Sequence, residues 1–324
     1  MSDKAIAVQL MLNMKYLQRL FVAAVMATLL STLIFIKSTE KTQAASNQQD
    51  CKSWKTEISQ HKTTLLTKAA CARHYFLLIL VSSAPANFKR RNLIRQTWGT
   101  DSNVEPRWRT FFLLGQTRNQ IQTAILKVEE KSYSDIIRGN YFEHYWNQSF
   151  KIEMGFEWAA RYCQFSFLLK TDDDVFVNTK DLILLLQRST PKNRLYMGKV
   201  QLNAEVRRFG LYNVSYDEYS GSTYPSYCSG AGFVLSYDVV DCLVPLFDVV
   251  NPFRIDDIYV GMLVNKVGIT PVDHRRFIFP DIYIDNCSFV PHTIVQHRAV
   301  GQCLIRLFIM HSKGFNDPIL GSFY

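Results

Sequence analysis

The chain has 324 residues, 48% of them hydrophobic and 13% aromatic. This excludes a disordered or low-complexity protein and suffices for one large globular domain or two small ones. Its 37 basic and 28 acidic residues leave a formal net charge of +9, a surplus suited to nucleic acid, an anionic membrane or a phosphate-bearing small substrate. The compartment decides among these.

Leu20 to Ile36, LFVAAVMATLLSTLIFI, is 17 residues without a charge. As a helix it would reach roughly 26 Å, near the lower limit for a bilayer and suited to thin early secretory membranes. Lys4, Lys15 and Arg19 precede it and Lys37 and Lys41 follow it, so the charge bias toward a cytoplasmic N-terminus is slight. A cleaved signal peptide is the competing reading. The run is longer than an ordinary signal core, and no small-residue cleavage pattern precedes Ala44-Ala45-Ser46, which favours an uncleaved anchor. The expected layout is a cytoplasmic tail over 1–19, a transmembrane anchor over 20–36, a polar stem over 37–71 and a luminal domain over 72–324. Sequons at Asn147, Asn213 and Asn286 and seven scattered cysteines agree with an oxidising lumen. Up to three disulfides can form, with one cysteine left over. Nucleic acid is not an expected partner there.

Tyr75 to Val81, YFLLILV, reads as a buried parallel strand. Asn87 suits the N-cap of a helix that carries Leu93, Ile94, Thr97 and Trp98 on one face and closes at Gly99. Arg109 to Gly115 is the next strand, followed by a helix with Ile121, Ile125 and Val128 on one face. A short strand begins at Asp135, and Phe150, Met154 and Trp158 mark another helix face. Phe165 to Leu169 is a buried strand that empties into Asp172, Asp173 and Asp174. Leu182 to Leu186 reads as helix, Tyr196 to Gly198 as strand, Gly230 to Ser236 as turn and strand, and Ile255 to Val267 as helix. The alternation predicts an α/β domain with a mostly parallel sheet.

Four stretches could carry chemistry. Three adjacent carboxylates at a strand's carboxyl end either face water as an acidic turn or hold a hard cation such as Mg²⁺ or Mn²⁺, a common partner of substrate phosphates. Arg91 and Arg95 share a helix face and either grip a diphosphate or form a solvated basic face. In Tyr224 to Phe233, Gly230 and Gly232 allow a ligand close to the backbone or serve a tight turn, and the two tyrosines could stack on a sugar ring. Asp256-Asp257 either caps a helix or supplies a general base. His292, His297 and His311 are candidate nitrogen ligands that spacing does not separate.

Taken in order, these segments resemble the β-1,3-glycosyltransferase family. Arg90 to Gly99 is similar to its RRxxIRxTWG segment, Phe112 to Gly115 to its FLLG strand, and Asn147 to Lys151 to its YxNLTxK element. Lys170 to Asn178 resembles its DxD segment, Tyr227 to Phe233 its YCSGxGY segment, and Asp256 to Gly261 its [ED]DVYxG segment. The resemblance implies an inverting, metal-dependent enzyme of the GT-A-like, Rossmann-type fold in the Golgi membrane. It would use UDP-galactose or UDP-N-acetylglucosamine, with a glycan acceptor on a glycoprotein or glycolipid. It further implies Asp174 and His297 as ligands of Mn²⁺ or Mg²⁺, Asp172 and Asp173 at the nucleotide or its metal shell, and Asp257 as base, with Arg91 or Arg95 beside the diphosphate. After His297 the family's Pro-x-Glu-Met is replaced by Val300-Gly301-Gln302-Cys303. The acidic triplet and IDDIY resemble the N-acetylglucosamine group, whereas Lys170-Thr171 and Val260-Gly261 resemble the galactose group. A catalytically silent carbohydrate-binding or chaperone member is the alternative, and a homodimer is left open.

Overall fold

The computed structural model describes residues 25–32, 65–66, 71–189, 192–279 and 287–313. Two units divide the chain, residues 1–53 and 54–324. In the first, residues 25–32 are helical, and the rest of the expected anchor lies outside the described residues. Among the described residues no helix is long and apolar enough to cross a membrane. Most of the expected stem and Asn286 also lie outside them.

The second unit is built on a seven-stranded mixed sheet. Strands β1 (His74–Ser82), β2 (Trp108–Gln116), β3 (Ile136–Phe142) and β4 (Gln164–Asp172) form its parallel half, with β1 between β2 and β4. The apolar runs are continuous because both faces are covered. Leu77, Ile79 and Val81 join Phe112, Phe167, Ile94 and Trp98 on one side. Leu78, Leu80 and Phe111 are equally buried, and the Phe111 ring meets Trp158 edge-on at 4.7 Å.

Beyond β4 the next two pairings are antiparallel. β7 (Tyr227–Ser236) pairs antiparallel with both β4 and β6 (Tyr196–Gln201), and β6 pairs with β8 (Val272–Asp273). Gly230 and Gly232 therefore lie within a strand, which corrects the expected turn. A second sheet has β10 (Val295–His297) between β5 (Val175–Val177) and β9 (Phe277–Ile278). Because β5 follows β4 at once, the small sheet begins where the acidic triplet ends.

Helices connect the strands: α1 (Phe88–Gln96), α2 (Gln120–Tyr133), α3 (Gln148–Tyr162), α4 (Thr179–Arg188), α5 (Tyr237–Leu243), α6 (Asp256–Lys266) and α7 (Gln302–Lys313). One expected face is reversed. Ile121 is 73% and Val128 66% exposed, and Ile125 is also exposed, whereas α2 turns Leu126 and Glu129 inward. The physical reason is electrostatic. Arg91 is fully buried beneath α2, and a buried guanidinium requires a paired anion, so the register that presents Glu129 wins over the one that buries the isoleucines.

Disulfides join Cys71 to Cys163 and Cys287 to Cys303, and Cys242 is disulfide-bonded as well. Cys228, buried in β7, is the free cysteine among the described residues.

Candidate active site

The carboxyl ends of β1 and β4 lie side by side, with Ser82 opposite Asp172. This is where ligands bind in open α/β sheets. Two adjoining cavities open there, of about 290 Å³ and about 550 Å³. The smaller one holds the whole triplet with Ser83, Asn87 and Arg90. The larger one holds Asp172, Asp174, Asp257, Gly230 and His297.

The three acids have different surroundings. Asp173 is buried, accepting from Ser83 Oγ at 2.6 Å, Asn87 Nδ2 at 2.9 Å and Arg90 Nη1 at 2.8 Å. These bonds tie the end of β4 to the start of α1, while Asp173 still lines the smaller cavity. Asn87 sits at the N-cap of α1 without making a capping bond, and its Nδ2 donates to Asp173.

Asp172 pairs with Lys170 Nζ at 2.9 Å, and the same ammonium reaches Asp256 at 3.0 Å and the Gly230 carbonyl at 2.8 Å. Lys170 is the functional residue that motif reading overlooked. Its signal was a lysine inside a run of strand residues that are all buried, where a cation must have anionic partners. Burial pushes the Asp172 carboxyl up to about 6 against the opposing pull of Lys170.

Asp174 has no such tether to Lys170. His297 Nε2 lies 3.7 Å from Asp174 Oδ1. The strand register explains this meeting: β10 pairs antiparallel with β5, placing His297 opposite Val175. The Ala299 amide also donates to the Asp174 carbonyl at 2.7 Å. Burial, reinforced by Arg298 and Lys170, outweighs Asp174 and lowers the His297 pKa, so the ring is neutral at pH 7. A carboxylate and a neutral imidazole facing one cavity fit a divalent cation that takes its remaining ligands from phosphate and water. The other two candidate histidines lie apart from this pair. His311 meets Asn178 at 3.2 Å and stacks on Phe176, and exposed His292 has a positive φ of 61°.

Asp257 opens α6 facing the larger cavity. Gly230 N–H donates to its Oδ2 at 2.9 Å and Ile258 N–H to its Oδ1 at 2.8 Å. Two backbone donors fix its rotamer and leave lone pairs for a substrate proton. Burial first, then the neighbouring Asp256 carboxylate, push its carboxyl up to about 7. That is the range in which a general base serves at neutral pH. Gly230 thus lines the larger cavity and also holds Asp257 through its amide. Gly232 is a packing position, since a Cβ there would lie 2.8 Å from Val295 Cγ1.

Arg91 and Arg95 require correction. Arg91 donates from Nε and Nη2 to the two Glu129 oxygens at 2.8 and 2.7 Å. Arg95 grips Asp135 at 2.7 and 2.9 Å and Glu129 at 2.8 Å. Neither lines the cavities. The cation of that basic run that does is Arg90, the residue between them and the triplet.

The sequons also differ. Asn147 donates its amide to the Phe142 carbonyl at 2.9 Å, and Ser149 is buried against the Phe253 carbonyl. This segment is thus tied into the fold at both ends of the sequon. Asn213 stands exposed on the loop between β6 and β7.

A family model described as Galactosyltransferase matches residues 89–275. Beta-1,3-galactosyltransferase 5 of Gorilla gorilla gorilla is 35% identical over 198 residues, which cover 60% of this chain and 66% of that protein. The match thus spans just under two thirds of that relative's length. UDP-GalNAc:beta-1,3-N-acetylgalactosaminyltransferase 1 of Sus scrofa is 35% identical over 240 residues, covering 69% of this chain and 71% of that protein. Among solved structures, the mannosyltransferase PcManGT from Pyrobaculum calidifontis superposes with a TM-score of 0.38 at 8% identity, covering 71% of this chain and 64% of that one, a likeness too slight to bear on function.

Proposed function

Because the chain belongs to the galactosyltransferase family, we propose that it transfers a hexosyl unit from a UDP-sugar to the 3-hydroxyl of an acceptor glycan, forming a β-1,3 bond with inversion. The observation that carries this reading is the convergence of Asp257, Asp174 and His297 on one cavity from three separate elements. Galactose and N-acetylglucosamine remain the donor candidates, and the relatives add N-acetylgalactosamine.

In this mechanism Asp257 accepts the proton of the acceptor hydroxyl as its oxygen attacks the anomeric carbon. The bond from that carbon to the diphosphate oxygen breaks, and its electron pair leaves with UDP. Asp174 and His297 would hold Mn²⁺ or Mg²⁺, which when bound neutralises the diphosphate charge. Lys170 restrains Asp172 and Asp256, so Asp257 is the acid of the pair left to receive a proton. Arg90 faces the smaller cavity and would meet the nucleotide. The apolar run at 20–36, the Asn213 sequon and the disulfides support a luminal, single-pass placement in the Golgi membrane, with residues 72–324 as the catalytic domain.

The test is UDP release by the full chain with Mn²⁺ across UDP-galactose, UDP-N-acetylglucosamine and UDP-N-acetylgalactosamine, followed by linkage analysis of the product. A 1,3-linked, β-configured hexose is expected; no turnover with any donor would end the proposal. Asp174→Ala should lower kcat/KM at least about a hundredfold, the size of losing a charge-neutralising contact. A chelator should silence the wild type reversibly, with activity returning on added Mn²⁺. Undiminished activity in either experiment would remove Asp174 from the metal.

A further inference from the structure

The two cavities meet along a seam, and chemistry fixes what must lie there. The diphosphate belongs near Asp174, the attacking hydroxyl near Asp257, and the transferred sugar between them. Six residues line both cavities: Tyr145, Asp172, Asp174, Tyr212, Ile255 and Asp256. The three carboxylates are engaged by Lys170 or face His297, and Ile255 is apolar. Only the two tyrosines offer neutral hydroxyls, the groups that read the hydroxyl pattern of a sugar.

They arrive from different places and are held together. Tyr145 stands on a 3-10 turn, Tyr145–Asn147, after β3, and Tyr212 on the loop between β6 and β7. The Tyr145 hydroxyl donates to Tyr212 Oη at 3.0 Å. Trp146 packs edge-on against both rings, at 4.9 and 6.4 Å, and Arg254 covers Trp146 at 4.8 Å. Having accepted from Tyr145, Tyr212 keeps its own O–H to donate outward. The residue is 38% exposed and lines both cavities, with its hydroxyl oriented in advance by Tyr145.

Resting on the reading above, we infer that the Tyr212 hydroxyl, positioned by Tyr145, contacts the transferred hexose and determines which hexose is accepted. The ligand class is the pyranose of a nucleotide sugar, read through a ring hydroxyl or its N-acetyl substituent. A site built to hydrogen-bond one such group rejects the variant that lacks or inverts it.

The experiment compares kcat/KM of the full chain for UDP-galactose, UDP-glucose, UDP-N-acetylglucosamine and UDP-N-acetylgalactosamine before and after Tyr212→Phe, which keeps the ring. The preferred donor should lose about tenfold, the worth of one hydrogen bond to substrate. The other donors should lose less, so that discrimination falls. Inhibition by UDP alone and the acceptor KM should not change. Tyr145→Phe should reproduce the direction with a smaller effect. Equal losses on all donors, or none, would overturn the inference. So would weakened UDP inhibition, which would place the tyrosine at the nucleotide, or a raised acceptor KM, which would place it at the acceptor. A wild type that turns over no donor brings down the proposed function and this inference with it. An active wild type with unchanged discrimination after Tyr212→Phe brings down this inference alone.

Discussion

Asp257→Asn should reduce kcat by about a thousandfold, within the range a positioned general base contributes, while the melting temperature stays close to that of the wild type. The substitution keeps the side chain's size and one accepting oxygen for the Gly230 or Ile258 amide, so the α6 start should hold its shape. What it removes is the capacity to take the acceptor's proton. On the proposed mechanism the same residue would set the pH dependence. Its carboxyl is raised to about 7, and a base works only when ionised. The wild-type kcat/KM should therefore rise through neutrality, half-maximal near pH 7, and level off about one unit above it, and the residual activity of Asp257→Asn should lack that limb. UDP release by the variant at the wild-type rate, or an unchanged acid limb, would remove Asp257 from the role of base.

Glu129→Ala should cost the fold about 3–5 kcal/mol, the range for breaking a buried ion pair by deleting one partner. Arg91 and Glu129 have side chains 0% and 1% exposed, so the substitution leaves a buried guanidinium without its main anion. Removing Arg95's second anion adds to the damage, though Asp135 remains to hold that guanidinium. Against a typical total stability of about 5–15 kcal/mol, such a loss should show as a large fall in urea midpoint. Linkage provides an independent check. Burial opposes the charge of Glu129, but the hydrogen bonds from Arg91 and Arg95 overcome it and lower its pKa. A depressed carboxyl contributes stability above its unfolded value, and that contribution is lost as pH falls through the folded value. The wild type should therefore lose part of its stability in acid through this group, and Glu129→Ala should show a flatter acid limb. Equal urea midpoints for the two proteins would mean that the network carries no net stability.

The contrast between these two residues shows what could be read from the sequence. β1, β2 and β4 were legible because buried parallel strands need unbroken apolar runs, and Leu77 to Val81 or Phe165 to Leu169 leave little else to choose. The acidic triplet and Asp257 were legible because a costly cluster of charge at element ends stands out. Arg91 and Arg95 misled for a complementary reason. Their spacing correctly placed them on one helix face, but which face points inward depended on Glu129 and Asp135, which follow from a different part of the chain. The same long-range pairing turned Ile121, Ile125 and Val128 outward against their own periodicity. Lys170 was hidden by its position within an apparent core strand. Tyr145 and Tyr212 carry no local signal, because their hydroxyls meet only once two distant loops converge.

Lys170 also bears on what happens between turnovers. Asp172 and Asp256 share its ammonium, so the acidic cluster carries a permanent counterion of its own. On the proposed mechanism, Lys170 would keep Asp172 and Asp256 from repelling one another whenever the diphosphate and its cation are absent. Chelation should therefore stop transfer while leaving secondary structure intact. On that reading the cation would serve the reaction and the lysine the fold.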